Sequence, residues 1–341
     1  MNILITSVQV PFVRGGGEIL AQGLLAAIKR QGHRADILTA PFRFSPASAI
    51  EESADWWGRI NLASFCAGNV DKVIHLKFPC FYAQHPDSVL WLLHQHRAYY
   101  ELWDEKGASG KDKAVRKRVI QQDTDALLRI PRRFTIAKRV SARLQQYNGV
   151  SSAPIYHPPF SAEQFRCEES LPFIFSPSRL EPLKRQMLLV EAMAKTRSPM
   201  VALIAGEGGA AAALNRRISE LGIESKVRLL GYVCDREMRS YYAKARAIFF
   251  GPYDEDYGYV TLESMLASKP VITCTDSGGP LEFVVHGETG QVVEPVADVI
   301  AQAIDRYGRS EALATAHGQA GRAAYDDMDI SWDPVVERLL K

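Results

Sequence analysis

The chain contains few cysteines, and they are scattered. Its five cysteines are Cys66, Cys80, Cys167, Cys234 and Cys274. No two of them have the Cys-x-x-Cys spacing that is typical of a zinc cluster, and they do not form the dense framework of a disulfide-stabilised domain. We therefore expect free thiols in a reducing compartment.

Long apolar runs and excess charge are also lacking. No run approaches the roughly 18 apolar residues that cross a membrane, and the chain opens directly on the strand-like run 2–6, with no leader-like segment ahead of it. The formal net charge is only +2, which does not favour a nucleic-acid partner. These absences predict a cytoplasmic protein.

The pattern that is present is an alternation of short apolar runs with segments of helical period. It is typical of parallel sheets covered by helices, and 341 residues are enough for about two domains. We predict two doubly wound α/β units. The predicted strands are 3–6, 35–39, 73–76, 89–93 and 134–137 in the first half, and 173–176, 201–205, 227–230, 247–250, 271–274 and 291–293 in the second.

A pair of prolines, Pro158 and Pro159, marks the predicted domain boundary. Consecutive prolines prevent a helix and remove hydrogen-bond donors from a sheet. We predict a first domain over residues 1–158 and a second over 159–341, with the linker near 154–170. A short helix after Trp332 is expected to pack back on the first domain.

The segment 253–280 is the most informative part of the sequence. A loop with Glu255 leads through Gly258 into a short predicted helix with Glu263, and the next strand ends in a glycine-rich turn. A helix N-terminus attracts phosphate, and carboxylates hold hydroxyl groups. A ligand with both groups fits this segment, and a nucleotide sugar has both.

The acidic triplet 254–256 has an alternative interpretation as a site for a hard divalent cation. Three acids in a row are more often a solvated loop. Glu255 and Glu263 are expected to approach a ligand from the same side, which is unsuitable for the opposed carboxylates of a hydrolase.

Further candidates follow predicted strands. Gly15, Gly16 and Gly17 with Glu18 follow the loop 8–14 and open the predicted helix 19–30, and the turn 206–209 contains three more glycines. Glycines allow the backbone to approach a ligand closely, although a tight turn explains them equally well. The spacing is not that of a dinucleotide-binding Gly-x-Gly-x-x-Gly turn.

Two cations and a histidine also follow predicted strands. Arg179 and Lys184 flank the start of a predicted helix 183–195, after the first strand of the second unit, and His94 follows strand 89–93. Ligands of open α/β sheets bind at the carboxyl ends of strands, so the two cations can neutralise a diphosphate. The alternatives are a solvated turn and a structural histidine.

The stretch 106–143 is strongly basic. It contains twelve Lys and Arg against three Asp, so its net charge is 12 − 3 = +9. Such a stretch can bind anionic lipid headgroups or an anionic acceptor. The alternative is an ordinary exposed helical face.

Taken together, these motifs resemble retaining glycosyltransferase family 4, whose members have the GT-B fold. The matching features are a Gly-Gly-x-Glu turn, a histidine after a strand, an Arg and Lys pair, glycine turns and a Glu-x7-Glu motif. They are Gly15–Glu18, His94, Arg179 and Lys184, Gly206–Gly208, Glu255 to Glu263, Lys269–Val271 and Gly278–Pro280. The resemblance runs nearly throughout the second half, but only through landmarks in the first.

The resemblance implies two Rossmann-like domains that face each other across a cleft, with acceptor binding in the first domain and the nucleotide sugar mainly in the second. By position, Arg179 and Lys184 are expected to bind the diphosphate, Glu263 the ribose and Glu255 the donor sugar, while His94 contacts the sugar. Amides at Gly16, Tyr259 and Val260 are expected to bind phosphate, and Gly15, Gly206, Gly208 and Gly258 complete the expected donor site.

The same resemblance implies sugar transfer with retention by same-face attack, without a cofactor or divalent metal. The expected donor is a UDP- or GDP-sugar, and the acceptor a glycan or lipid-linked intermediate of surface polysaccharide synthesis. Asp256 and Tyr257 depart from the usual small residue and Phe of the family, which leaves the sugar open. A sugar-nucleotide epimerase and a silent nucleotide-sugar binder are the alternatives. Contact of the basic stretch with the inner face of the membrane is a further hypothesis.

Overall fold

The computed structural model describes residues 1–12, 15–65 and 68–341, with Phe65 described by its backbone alone. Cys66 and the end of the predicted loop 8–14 lie outside the described residues.

Within these described ranges the chain forms twelve β-strands and twelve α-helices that broadly alternate. The strands are β1 Asn2–Gln9, β2 Arg34–Pro41, β3 Lys72–His75, β4 Ser88–Leu92, β5 Arg132–Thr135, β6 Ala153–Pro154, β7 Phe173–Pro177, β8 Val201–Ala205, β9 Val227–Gly231, β10 Ala247–Phe249, β11 Val271–Cys274 and β12 Gly290–Val293. The helices are α1 Gly16–Arg30, α2 Ala47–Gly58, α3 Leu62–Phe65, α4 Gly110–Arg129, α5 Lys138–Asn148, α6 Gln186–Met193, α7 Ala211–Leu221, α8 Asp235–Lys244, α9 Tyr259–Leu266, α10 Ala297–Arg309, α11 Glu311–Asp327 and α12 Trp332–Leu340.

The first compact unit comprises Met1–His157 together with Ser331–Lys341. Its parallel sheet has the order β2-β1-β3-β4-β5-β6. Strands β3 and β4 are buried along their whole length, as expected for strands covered by helices on both faces. Burial also lowers the pKa of His75 to about 3, so this core imidazole is neutral.

The second unit comprises Pro158–Ile330. Its parallel sheet has the order β12-β11-β10-β7-β8-β9. Its first strand, β7, therefore lies in the middle, and the order reverses between β7 and β10, where ligands of doubly wound sheets bind. Apolar residues of α6, α7 and α10 fill one core cluster, and a second forms around Phe175 and Tyr242. The predicted fold class is confirmed.

The C-terminal helix packs within the first unit. Its Trp332 lies against α1, where a Cβ added at Gly23 would be 2.3 Å from Trp332 Cζ2. The Arg132 guanidinium donates hydrogen bonds to the carbonyl oxygens of Arg338 (2.7 Å) and Leu339 (3.0 Å). Residues 331–341 thus belong to the first unit, although the numerical boundary predicted from the sequence places them in the second domain.

Several element boundaries differ from prediction by one to three residues, and three further differences concern β5, β6 and the predicted helix 183–195. The predicted strand 134–137 is shifted to β5, because Arg132 and Arg133 lie in the strand and their guanidinium groups bind carbonyl oxygens. The short strand β6 was not predicted. The predicted helix 183–195 is instead a 3₁₀ turn, Pro182–Lys184, followed by α6, because Arg185 has a left-handed backbone (φ +53°).

Candidate functional site

The predicted donor residues of the second unit share one edge of its sheet. Strands β11, β10, β7 and β8 are consecutive neighbours and parallel, so their carboxyl ends meet at the same edge. The turns after them carry Gly278, Glu255, Lys184 and Gly206, respectively. The sheet order thus brings together residues that are up to about a hundred positions apart in sequence.

Lys184 and Glu255 form an ion pair between Nζ and Oε2. Their side chains are 17% and 18% exposed, so both charges are largely removed from water. Lys184 Nζ also lies 5.7 Å from the centroid of the Phe250 ring. The predicted diphosphate cation and the predicted sugar carboxylate are therefore in direct contact.

Arg179 differs from Lys184 in its environment. Its side chain is exposed and its guanidinium has no partner among the residues that the structure describes. Its carbonyl oxygen instead accepts a hydrogen bond from Nε2 of buried Gln186 (3.0 Å), which also donates to Ser178 Oγ (2.6 Å). The turn is fixed, and the Arg179 charge projects from it into solvent.

The glycines after β8 allow two turns to pack backbone to backbone. Gly206 has φ +129°, and an added Cβ would lie 2.0 Å from the Ser178 carbonyl oxygen. Gly208 has φ +153°, and its Cβ would lie 2.4 Å from the Leu180 carbonyl oxygen. These glycines are thus required by the contact with the Arg179 turn, and their contact with a donor remains a prediction.

The Glu255 loop is hydrogen-bonded to the turn after β11. Glu255 N donates to the Ser277 carbonyl (2.9 Å), and Gly279 N donates to the Glu255 carbonyl (2.8 Å). Gly278 (φ +72°) is needed here, because an added Cβ would lie 2.5 Å from Glu255 O. The glycine-rich turn of the sequence motif therefore supports the glutamate loop.

Asp254 is buried with a left-handed backbone (φ +46°), and its amide donates to the Asp276 carbonyl (2.9 Å). In the described part of the chain, no group of three or more His, Cys, Asp or Glu side chains is placed to hold a metal ion. Metal-free chemistry remains a prediction.

Glu263 lies in the second turn of α9 and has a different partner. Tyr242 donates its hydroxyl to Glu263 Oε2 at 2.5 Å. Burial raises the pKa of Glu263, and the Tyr242 hydrogen bond opposes part of this rise. Tyr259 and Val260 open this helix after Gly258 (φ +87°), in the turn where helical amides lack intrahelical partners.

In the first unit, the Gly-Gly-x-Glu turn contacts a lysine. Glu18 accepts hydrogen bonds from Gly15 N (2.9 Å, through Oε2) and Lys77 Nζ (3.2 Å, through Oε1). An added Cβ at Gly17 would lie 2.7 Å from Lys77 Nζ. Gly16 is exposed beside them. Glu18 thus caps α1 and neutralises a largely buried lysine.

His94 follows β4 at the same edge of the first sheet, since β1, β3 and β4 are neighbours. Its Nδ1 donates to the Gln95 carbonyl oxygen at 2.6 Å. This bond requires a proton on Nδ1. The contact of His94 with a donor sugar remains a prediction.

The basic stretch 106–143 is not one exposed patch. Arg143 is buried and pairs with Glu101 (3.1 Å), and the Arg116 guanidinium lies 5.1 Å from the centroid of the Trp103 ring. Asp123, one of its three acids, is fully buried. Part of the calculated charge of +9 is therefore internal, and membrane contact remains a prediction. None of the helices in the described ranges combines the length and apolar character that a membrane crossing requires.

Two residues at these edges were missed in the sequence. Lys77 lies two positions after the end of β3, and the rule that ligands bind at strand ends makes such a position a candidate. Arg185 makes four hydrogen bonds beside Lys184, and nothing in its sequence position distinguishes it from a solvated cation.

Residues 160–324 match the family model for glycosyl transferases group 1. The match covers nearly all of the second unit and just under half of the chain. It contains the Lys184, Glu255 and Glu263 positions described above.

Curated relatives match over similarly limited segments. The alpha-1,3/1,6-mannosyltransferase ALG2 of Mus musculus is 32% identical over 110 residues, which are 32% of this chain and 26% of that enzyme. The N-acetylgalactosamine-N,N'-diacetylbacillosaminyl-diphospho-undecaprenol 4-alpha-N-acetylgalactosaminyltransferase of Campylobacter jejuni is 36% identical over 123 residues, 36% of this chain and 33% of that enzyme. The chain thus spans about a quarter to a third of the length of these relatives.

Solved structures match over the whole chain. Sucrose-phosphate synthase from Thermosynechococcus elongatus has a TM-score of 0.81 at 17% identity, and the match covers 99% of this chain and 96% of that one. HepE from Anabaena, solved in complex with UDP, has a TM-score of 0.75 at 16% identity, covering 100% and 98%. The chain has the GT-B fold of these proteins.

Proposed function

We propose that the protein is a retaining glycosyltransferase that moves a sugar from a nucleotide-diphosphate donor to a hydroxyl acceptor. The observation that carries this proposal is the Lys184–Glu255 ion pair, which places a cation for phosphate against a carboxylate for hydroxyls. It lies in the unit that matches glycosyl transferases group 1. The relatives reported above are transferases, which does not favour the epimerase alternative.

The second unit is proposed to hold the donor. Lys184 and Arg179 bind the diphosphate, Glu255 binds the sugar hydroxyls and Glu263 the ribose. Glu263 uses one oxygen for Tyr242, which leaves its other oxygen for a ribose hydroxyl. The UDP complex of HepE supports UDP as the first nucleotide to test, with GDP as the second.

The first unit is proposed to hold the acceptor and to contact the donor, with His94 at the sugar and the Gly16 amide at the phosphate. The Gly15 amide is already bound to Glu18. The Campylobacter jejuni relative acts on a diphospho-undecaprenol substrate by its name, which supports a lipid-linked acceptor for this chain. We propose a role in surface glycan synthesis on this basis.

In the proposed mechanism, the bond from the anomeric carbon to the phosphate oxygen breaks as the acceptor oxygen bonds on the same face. The acceptor proton passes to the departing phosphate, so no protein base is required. Lys184 and Arg179 stabilise the negative charge on the leaving diphosphate. Fixed charges of this kind are usually the largest contribution to catalysis in such sites. The chemistry needs neither cofactor nor metal.

The test begins with thermal-shift measurements on UDP-, GDP- and ADP-sugars, because a ligand at 100 times its Kd stabilises the folded state by about 2.7 kcal/mol. The stabilising donor is then incubated alone and with lipid-linked acceptors, and the anomeric configuration of the product is read by NMR. Transfer with retention is expected, and Glu263→Ala should abolish the thermal shift by the donor. Conversion of the sugar without an acceptor would instead show an epimerase, and binding without any product a silent binder. If no nucleotide sugar binds, the proposal is wrong.

A further inference from the structure

Arg185 joins two turns at the carboxyl edge of the second unit. Its Nε donates to the Gly251 carbonyl (2.8 Å) and its Nη2 to the Pro252 carbonyl (2.8 Å), both just after β10. Its Nη1 and Nη2 bind the two carboxylate oxygens of Asp276 after β11, at 2.8 and 2.6 Å. One side chain thus connects the ends of two strands to the start of α6.

The same turns carry the ion pair Lys184–Glu255. Lys184 precedes Arg185, and Tyr253 N donates to the Leu183 carbonyl at 2.8 Å. The amide next to Glu255 donates to the Asp276 carbonyl, as described above. Arg185 and Asp276 therefore connect the backbone segments that carry Lys184 and Glu255.

We infer that Arg185, through Asp276, is a positioning residue that holds Lys184 against Glu255. The inference has two parts. The geometric part states that Arg185 maintains the Lys184–Glu255 ion pair, and the catalytic part, which rests on the proposed function, states that this contact is needed for turnover. Four of the five N–H groups of a guanidinium are engaged here. Arg185 is thus largely committed to the protein, and its effect on a ligand acts through Lys184.

Because the backbone of Arg185 is left-handed, glycine can replace this residue without straining the turn. Arg185→Gly therefore removes the side chain and leaves the turn able to form. Arg185→Lys keeps the charge but lacks the planar fork that binds a carboxylate at two points. The matched control is Arg217→Ala, since Arg217 binds both oxygens of Glu191 (2.6 and 3.2 Å) between α6 and α7.

The geometric part is tested on the full chain by acetylating lysines and following each site by peptide mass spectrometry. In Arg185→Gly the acetylation rate of Lys184 should rise several-fold, whereas that of exposed Lys195 should not change. Arg217→Ala should leave both rates as in the wild type. This measurement needs no nucleotide, so it is valid even if the proposed function fails.

The catalytic part is tested with UDP, or with GDP or ADP if the wild type prefers it, and with the matching nucleoside. Arg185→Gly should weaken diphosphate binding but leave nucleoside binding within about two-fold, and should lower kcat about 10²-fold, as expected for a misplacement of about 1 Å. Arg185→Lys should not restore kcat.

Two results would overturn the inference. One is an unchanged Lys184 acetylation rate in folded Arg185→Gly, which would show that the ion pair forms without the Arg185 side chain. The other is full recovery of kcat in Arg185→Lys, which would show that charge alone suffices. A wild type that binds and turns over no nucleotide sugar would refute the proposed function separately.

Discussion

Replacement of Lys184 by Met provides the sharpest test of the candidate site, because Met keeps the length of the side chain and removes its charge. Loss of one fixed group that stabilises a developing charge typically lowers kcat about 10²- to 10³-fold, or about 3–4 kcal/mol. We expect a loss of kcat in this range. The assay is donor turnover at saturating acceptor.

The same change affects stability by a different amount. Glu255 is only 18% exposed, and a buried charge that loses its partner costs about 3–5 kcal/mol, which we take as the upper limit for this partly exposed group. For a unit of this size each kcal/mol lowers the melting temperature by about 2–4 °C. The double variant Lys184→Met, Glu255→Gln removes the remaining charge, so it should regain stability without regaining activity.

Lys195 supplies the matched control. It pairs with Asp298 in the same unit, but the two side chains are 45% and 63% exposed, and such surface pairs contribute about 0–1 kcal/mol. Lys195→Met should therefore change neither kcat nor the melting temperature appreciably. If folded Lys184→Met retained kcat within about three-fold of the wild type, the assignment of Lys184 to the leaving diphosphate would be refuted, since such an assignment requires a far larger loss.

Two predictions concern stability. Gly206→Ala should destabilise the protein by at least about 2 kcal/mol, because the added Cβ would meet the Ser178 carbonyl. The control is Gly209→Ala, whose Cβ meets nothing within 4 Å and which should melt like the wild type. Equal calorimetric melting temperatures for the two variants would contradict this packing. Burial raises the pKa of Asp123 from 3.8 to about 7. Between these two pH values the folded state binds a proton that the unfolded state has released, so the contribution of Asp123 to the free energy of unfolding falls as pH rises. Asp123→Asn should therefore gain denaturant stability relative to wild type between pH 5.5 and 8, and a constant difference would refute the shift.

The sheets could be predicted from the sequence because their central strands are largely buried on both faces. Runs such as 201–205 and 271–274 consist mainly of apolar residues, and they coincide with β8 and β11. Strand β6 has only two residues, one of them proline, so it produces no such run. Strand β5 begins with two arginines whose partners come from the chain on either side and from the C-terminal helix, which local pattern does not show.

The candidate site was predictable where a residue follows a strand and binds through its own chemistry. Lys184, Glu255 and His94 satisfy this rule, and their ligand roles stay predictions. Arg185 could not be found in this way, because its role depends on carbonyl groups and a carboxylate about 65 to 90 positions later. The net charge counted for the stretch 106–143 treats Asp123 as an exposed acid. Its burial could not be predicted, because it depends on the distant residues Tyr82 and Tyr100, which donate hydrogen bonds to its two oxygens.

The backbone hydrogen bonds between the turns of the second unit have a consequence for ligand selection. The turn at Leu180 bonds to the turn at Glu207, and the Glu255 loop bonds to the turn at Gly279, so the protein supplies both partners of each bond. The conformational entropy of these turns is therefore lost when the protein folds, and a donor gains affinity because it need not order them. A change of donor sugar is then best sought by exchanging the side chains of Asp256 and Tyr257, with loop lengths left intact.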